Sequence, residues 1–291
     1  MRPFHLILLL GLNVGWATVP TLATRLEGRL GPLEFVFLRY AFALVGLLAL
    51  WPWLPGKLPR GADFWRTAVM GIAVFNLGHL LQISGFQLSK AGDASLLLAF
   101  DPLICSLGAA FFLRERIPPR RWLGFACAML GMALMSLWQP TSALPGLLAN
   151  LFIILSFVTE SIWSVMGKPL VQRWGIPKVT ALALMAGTTI NFLLLLPHAP
   201  AHLQAFAALP AIDWWTLALL GVIFTAFGYS VWYVVIRETP ISLAAMTIYL
   251  QPLVGTALAA GFTQDTLHLG HLLGGAAILG GLAIGLSRPK R

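Results

Sequence analysis

Ten apolar stretches fill this chain from end to end. A helix needs about 20 mainly apolar residues to cross the hydrocarbon of a bilayer. The stretches 4–24, 32–52, 66–86, 92–113, 119–138, 146–168, 178–197, 214–236, 241–263 and 269–287 meet that length. Short breaks part them: Gly31-Pro32, Pro52 to Pro59, Pro118-Pro119, Pro140 to Pro145, and Pro197 to Pro210. In lipid the backbone must satisfy its own polar groups, so runs of this length mean helices. Only 10% of residues are charged and 58% are hydrophobic, against about 25% charged in a soluble domain. The expectation is an all-α membrane protein whose first partner is the lipid bilayer. The first run continues to Thr24, long enough to span, so it reads as a helix and not as a cleaved leader.

The net charge of +9 invites a nucleic-acid reading. The basic residues sit in short loops without a base- or phosphate-reading motif, so membrane topology accounts for them. With the N-terminus placed in the cytoplasm, 15 Lys and Arg fall on the inner side and 3 on the outer. Both ends are expected inside, in a multi-pass protein of the plasma membrane. Cys105 and Cys127 lie within apolar runs as packing residues. No metal spacing, phosphate loop or nucleophile elbow is present, so no cofactor, metal or catalytic residue is expected.

A repeat organises the chain. Residues 94–137 align without a gap on 244–287, with 11 of 44 positions identical. Asp101-Pro102 becomes Gln251-Pro252, and Glu115 becomes Asp265. At the same offset of 150, Asp63, Trp65, Gly71 and Gly78 match Asp213, Trp215, Gly221 and Gly228. The first helices match at 147, where Asn13, Trp16 and Pro20 fall on Glu160, Trp163 and Gly167. The period covers five helices, an odd number, so the second copy enters the membrane from the opposite side. Residues 1–138 and 146–291 are therefore read as two inverted five-helix repeats around a central cavity, as in secondary transporters. Gly124, Gly131, Gly274 and Gly281 read as close helix contacts, within one protomer or between two, leaving monomer and homodimer open.

Few residues inside these helices carry chemistry. Asp101, near the middle of its run, faces a cavity or, with Pro102 behind it, caps the second half of a broken helix. Pro102 and Pro252 imply kinks, so Asp101, Pro102, Gln251 and Pro252 are hinge or structural candidates. Glu160 lines a cavity or pairs with Arg39; the latter otherwise snorkels outward. His79 shares a helix stripe with Asn76, Gln82 and Phe86, and its repeat mate is Tyr229. Trp232 and Tyr249 lie nearby in sequence, while Trp16 and Trp163 sit deeper than the interfacial tryptophans. Asn13, Trp16, His79, Gln82, Glu160, Trp163, Tyr229, Trp232 and Tyr249 are thus the candidates for touching a small-molecule substrate.

The Asn13-Val14-Gly15-Trp16 segment resembles the first-helix signature of the drug/metabolite transporter superfamily, in its EamA branch. Asp101-Pro102, Glu115 and Trp122-Leu123-Gly124 with Gly131 resemble the family's Glu-Pro, Gly-Glu and Trp-Ile-Gly segment. Pro252, Asp265, Gly274 and Gly281 repeat it. Asp101 stands where the family usually has Glu, and Arg114 where it usually has Gly. The resemblance implies ten helices and metabolite export across the bacterial inner membrane. Within the family the chain is most similar to the exporters of aromatic amino acids. Aromatic walls at Trp16, His79, Trp163, Tyr229 and Tyr249 suit such solutes. The rival substrates are a drug, a sugar nucleotide or a lipid; the rival classes are a non-transporting receptor and an intramembrane enzyme.

Overall fold

The computed structural model of the chain describes residues 2–19, 22, 26, 28–88, 97–136, 146–262 and 269–287. Among the described residues, regular structure is helical throughout. Among the described residues, helical segments lie along the apolar stretches. They are α1 Pro3–Ala17, α2 Pro32–Ala49, α3 Ala62–Leu88, α4 Asp101–Phe112, α5 Pro119–Ser136, α6 Gly146–Trp174, α7 Ile176–Ala207 and α8 Ala211–Ile236. The ninth, α9, joins Ile241–Ala245 through a 3-10 turn Met246–Tyr249 to Leu250–Phe262, and α10 is Leu269–Leu286. Six of these, α2, α3, α6, α7, α8 and α10, are long and apolar enough to cross a membrane.

Some helix ends differ from the sequence expectation. Helix α1 is regular to Ala17 and turns at Thr18, with Val19 and Leu22 helical beyond it. Helix α6 runs six residues past 168 with Pro169 inside it, leaving Gly175 as the whole connection to α7. Gly175 has φ 93°, a left-handed conformation that glycine adopts without steric cost. Helix α7 continues where Pro197 to Pro210 suggested a loop. Pro197 sits in a 3-10 turn, Leu196–His198, and Pro200 in the first turn of Ala199–Ala207; proline's missing N–H costs nothing at either place. Asp265, Pro20 and the junction 137–145 lie outside the described residues.

Helix α4 bears out the expected break. Leu97 and Leu98 are helical, Ala99 and Phe100 form a turn, and α4 begins at Asp101. The capping position is Phe100, one residue before the carboxylate that the sequence offered for it. The other end closes with Glu115 N–H on Ala109 O, at 3.2 Å, around Arg114 with φ 53°. Arg114 is the left-handed residue that ends the helix, a place usually held by glycine.

Contacts recur in pairs that exchange the two halves. A Cβ on Gly124 would lie 2.7 Å from Gly281 O, and one on Gly131 would meet Gly274 O at 2.5 Å. Gly274 and Gly281 are the repeat mates of Gly124 and Gly131, so α5 and α10 cross as a two-fold pair. Likewise α6 packs Thr159 on Gly78 of α3, and α1 packs Leu12 on Gly228 of α8. Two residues bond their own mates: Tyr229 Oη to His79 Nε2 at 3.1 Å, and Tyr249 Oη to Ala99 O at 2.8 Å. Only residues on a pseudo-two-fold axis can do so. Apolar side chains fill the centre and also cover the outside, with Phe111, Phe112, Trp65 and Trp215 exposed, as a lipid-facing surface requires.

Both long helices next to the axis are widened. A π-helical turn occupies Ala73–Gly78 in α3 and Leu219–Phe227 in α8. Such turns free backbone carbonyls, which a side chain or water then satisfies. Asn191 of α7 donates to Phe75 O at 2.9 Å, and Arg39 of α2 donates from Nε to Thr225 Oγ1 at 2.8 Å. Each half thus braces the other's widened turn.

Candidate functional site

The widened turns aim His79 and Tyr229 at each other and at Glu160 of α6. His79 N–H reaches back to Val74 O in the π pattern, and the same oxygen lies 2.8 Å from ring Nδ1. The ring is therefore held by its own helix. Its other nitrogen, Nε2, lies 3.1 Å from Glu160 Oε1 and 3.1 Å from Tyr229 Oη. Tyr229 donates to Glu160 Oε1, also at 3.1 Å. Three helices thus close a triangle of polar groups within the core. The mate of Val74 O is Phe224 O, which accepts from Trp16 Nε1 of α1 at 2.8 Å.

Aromatic rings wall this triangle. Tyr229 has Trp16 at 5.6 Å, Trp163 at 5.3 Å and Phe75 at 5.3 Å between centroids. Tyr40 lies edge-on to His79 at 5.3 Å. Burial is uneven. The His79 side chain is 4% exposed, whereas that of Glu160 is 23% exposed. Glu160 is therefore the partly exposed member of this His–Glu pair. Trp16, Gln82 and Asp101 are likewise half-buried.

The remaining candidates are placed differently. Asn13 is fully buried; it donates to Leu9 O and Thr247 Oγ1 and accepts from Gln251 Nε2 at 2.8 Å, tying α1 to the turn in α9. Trp163 is buried against Tyr233, ring on ring at 4.4 Å. Trp232 donates to Ser164 Oγ, and Tyr249 to Ala99 O. Arg39 bonds Thr225, while Glu160 takes His79 and Tyr229 instead of Arg39. Among the described residues no His, Cys, Asp and Glu cluster could hold a metal ion.

The sequence missed the contacts that lock the helix ends. Glu115, in the α4–α5 corner, accepts from the N–H groups of Ile241 at 2.8 Å and Ser242 at 3.0 Å, and from the Ser242 hydroxyl. Asp63 of α3 accepts from Arg173 at 2.8 Å and Trp174 Nε1 at 2.9 Å. Its mate Asp213 takes Arg29. Asp63 and Asp213 matched in the repeat, which was the available signal.

An EamA-like transporter family model matches this chain twice, over residues 3–137 and 147–286. The chain belongs to that family. It is a multi-pass membrane transporter. It is 27% identical over 277 residues to a protein named "Probable terminal-alkyne amino-acid exporter" from Streptantibioticus cattleyicolor, covering 93% of this chain and 89% of that one. It is 25% identical to an uncharacterized transporter of Archaeoglobus fulgidus over 88% of each. A Salmonella typhimurium protein named "Probable amino-acid metabolite efflux pump" is 28% identical over 67% of each. One crystal structure shares the fold at a TM-score of 0.77 and 18% identity, over 98% of both chains.

Proposed function

We propose that this transporter exports amino acids, aromatic ones included, across a bacterial inner membrane. The partly open carboxylate of Glu160 among the rings of Trp16, Tyr229 and Phe75 carries this reading. An amino acid presents an ammonium group and, if aromatic, a flat apolar body. The first pairs with a carboxylate and the second stacks on rings. The relatives named for amino-acid export support the substrate class. Ten helices span the membrane as two inverted repeats with both termini cytoplasmic. The repeats rock about the axis through His79 and Tyr229, bending at the turns before Pro102 and Pro252. Trp16, His79, Gln82, Glu160 and Tyr229 contact substrate. Asn13, Trp163, Trp232, Tyr249 and Gln251 hold the helices that present them.

The test is flux of labelled phenylalanine by the purified protein in liposomes, with competition by tryptophan, leucine, a sugar nucleotide and a hydrophobic drug. Aromatic and then aliphatic amino acids should compete, and Trp16→Ala should weaken phenylalanine binding several-fold. Flux blocked only by the sugar nucleotide or the drug would refute the substrate class. Binding without any flux would make the protein a receptor.

A further inference from the structure

Arg39 of α2 carries a buried positive charge with most of its donors unbonded. The residue is 5% exposed. A guanidinium has five N–H donors and no acceptor. The one on Nε bonds Thr225 Oγ1 at 2.8 Å. Among the described residues, no hydrogen-bond partner takes the hydrogens of the two Nη atoms. Glu160 lies within electrostatic reach of this guanidinium, yet the carboxylate bonds His79 and Tyr229. Opposite charges in a low-dielectric core attract strongly. Here each is held apart by its own partners. Tyr40, the next residue of α2, adds another donor. Its hydroxyl is buried without a partner among the described residues. Its ring lies 5.6 Å from Arg39 Cζ and edge-on to His79 at 5.3 Å. A donor kept from water and left unbonded bears the cost of its desolvation. Arg39 and Tyr40 thus bring unbonded donors to the edge of the Glu160–His79–Tyr229 triangle, and such donors suit an acceptor-only anion.

The repeat shows that bracing α8 does not by itself require a charge. Phe75 is the mate of Thr225 at the offset of 150, and α7 braces it as α2 braces Thr225. The bracing residue there is Asn191, a neutral amide. It donates to Phe75 O at 2.9 Å and accepts from Asn76 Nδ2 at 2.6 Å. An amide therefore holds one widened turn. A guanidinium at the other is costly within a membrane, where ionisable side chains mark ligand and ion pathways. Its planar fork matches a carboxylate through two parallel N–H···O bonds. The Nη edge that Thr225 leaves free is the edge for them.

We infer that Arg39 binds the carboxylate of the exported amino acid. This role rests on the exporter reading above and completes it: Glu160 takes the ammonium group, the rings take the side chain, and Arg39 takes the remaining polar end. The site then selects zwitterions. An amine without a carboxylate leaves the guanidinium unmatched, and an acid without an ammonium leaves Glu160 unmatched. Thr225 acts as the positioning residue that turns the Nη edge of Arg39 away from α8.

The test measures binding of labelled phenylalanine, and of labelled phenethylamine, the same molecule without its carboxylate, to the purified full chain in nanodiscs. Wild type should bind phenylalanine at least about tenfold more tightly, as one charge-assisted pair requires. Arg39→Gln keeps a donor for Thr225 and removes the charge. It should lose about tenfold or more in phenylalanine affinity and hold phenethylamine within about twofold of wild type. A residue that only braced α8 would weaken both ligands alike. Wild type that binds the two alike, or Arg39→Gln that lowers both alike or neither, overturns the inference and leaves the exporter reading standing. Wild type that binds no amino acid overturns the exporter reading itself. Should Arg39→Gln fail to fold, Arg39→Lys decides, since it keeps the charge without the fork. A several-fold loss for phenylalanine with phenethylamine unchanged supports the inference, and any other result overturns it.

Discussion

Replacing Asn13 by Ala separates a structural role from a binding role. Asn13 is fully buried, and two of its bonds cross from α1 to α9: to Thr247 at 2.9 Å and from Gln251 at 2.8 Å. Interhelical hydrogen bonds in membranes average about 0.6 kcal/mol and reach about 1.7. Thr247 also donates to Ala244 O, so it loses only a role as acceptor. Gln251 is half-buried, so water reaches its freed amide. The cost of Asn13→Ala should therefore lie near ~1 kcal/mol. A double-mutant cycle with Gln251→Ala should return a coupling of about 0.6–1.7 kcal/mol. Reversible unfolding in bicelles reads both values. Phenylalanine affinity, measured beside it, should change less than about twofold. A coupling within about 0.3 kcal/mol of zero, or a large affinity loss at full stability, would refute the reasoning.

Other expectations follow from single features of the structure. Gly124→Ala or Gly281→Ala should destabilise by about 1–3 kcal/mol, because a Cβ would meet a backbone carbonyl that cannot turn aside; an unfolding midpoint equal to wild type would count against the close crossing. Arg114→Gly relieves a left-handed backbone costing about 1–2 kcal/mol and loses roughly 0.5–1 kcal/mol to chain entropy. It should be neutral to slightly stabilising, and a clear loss of stability would contradict the φ of 53°. Trp163→Ala empties a buried ring site and should cost about 3–5 kcal/mol; impaired transport at wild-type stability would instead make Trp163 a wall of the cavity.

The apolar helices were legible because length and apolarity decide what can span a bilayer. The break at Asp101-Pro102 was legible too, since a proline in the middle of an apolar run removes a helix hydrogen bond. Its detail was not: the cap lies at Phe100, because the turn before it uses backbone geometry that composition does not record. The π turns left no trace in composition, for Ala73–Gly78 and Leu219–Phe227 are ordinary apolar sequence. Without them His79 and Tyr229 could be paired as mates in the alignment but not as neighbours in space. Arg39 had two open readings, Glu160 or the interface, and the structure took neither, sending it to a threonine that the π turn brings within reach. Burial divided the aromatic candidates for a similar reason: spacing shows which residues share a face, and only packing shows which faces stay open.

The bond between His79 and Tyr229 also bears on ancestry. When two identical chains meet across a two-fold axis, a residue on that axis meets itself. Separate copies would have placed histidine against histidine or tyrosine against tyrosine there. Unlike partners on the axis become available only when both copies are read from one gene and drift apart. The widened turns overlap at corresponding places in the two halves. An acid, an imidazole and a phenol meet at that place, where a symmetric dimer would have to repeat one side chain.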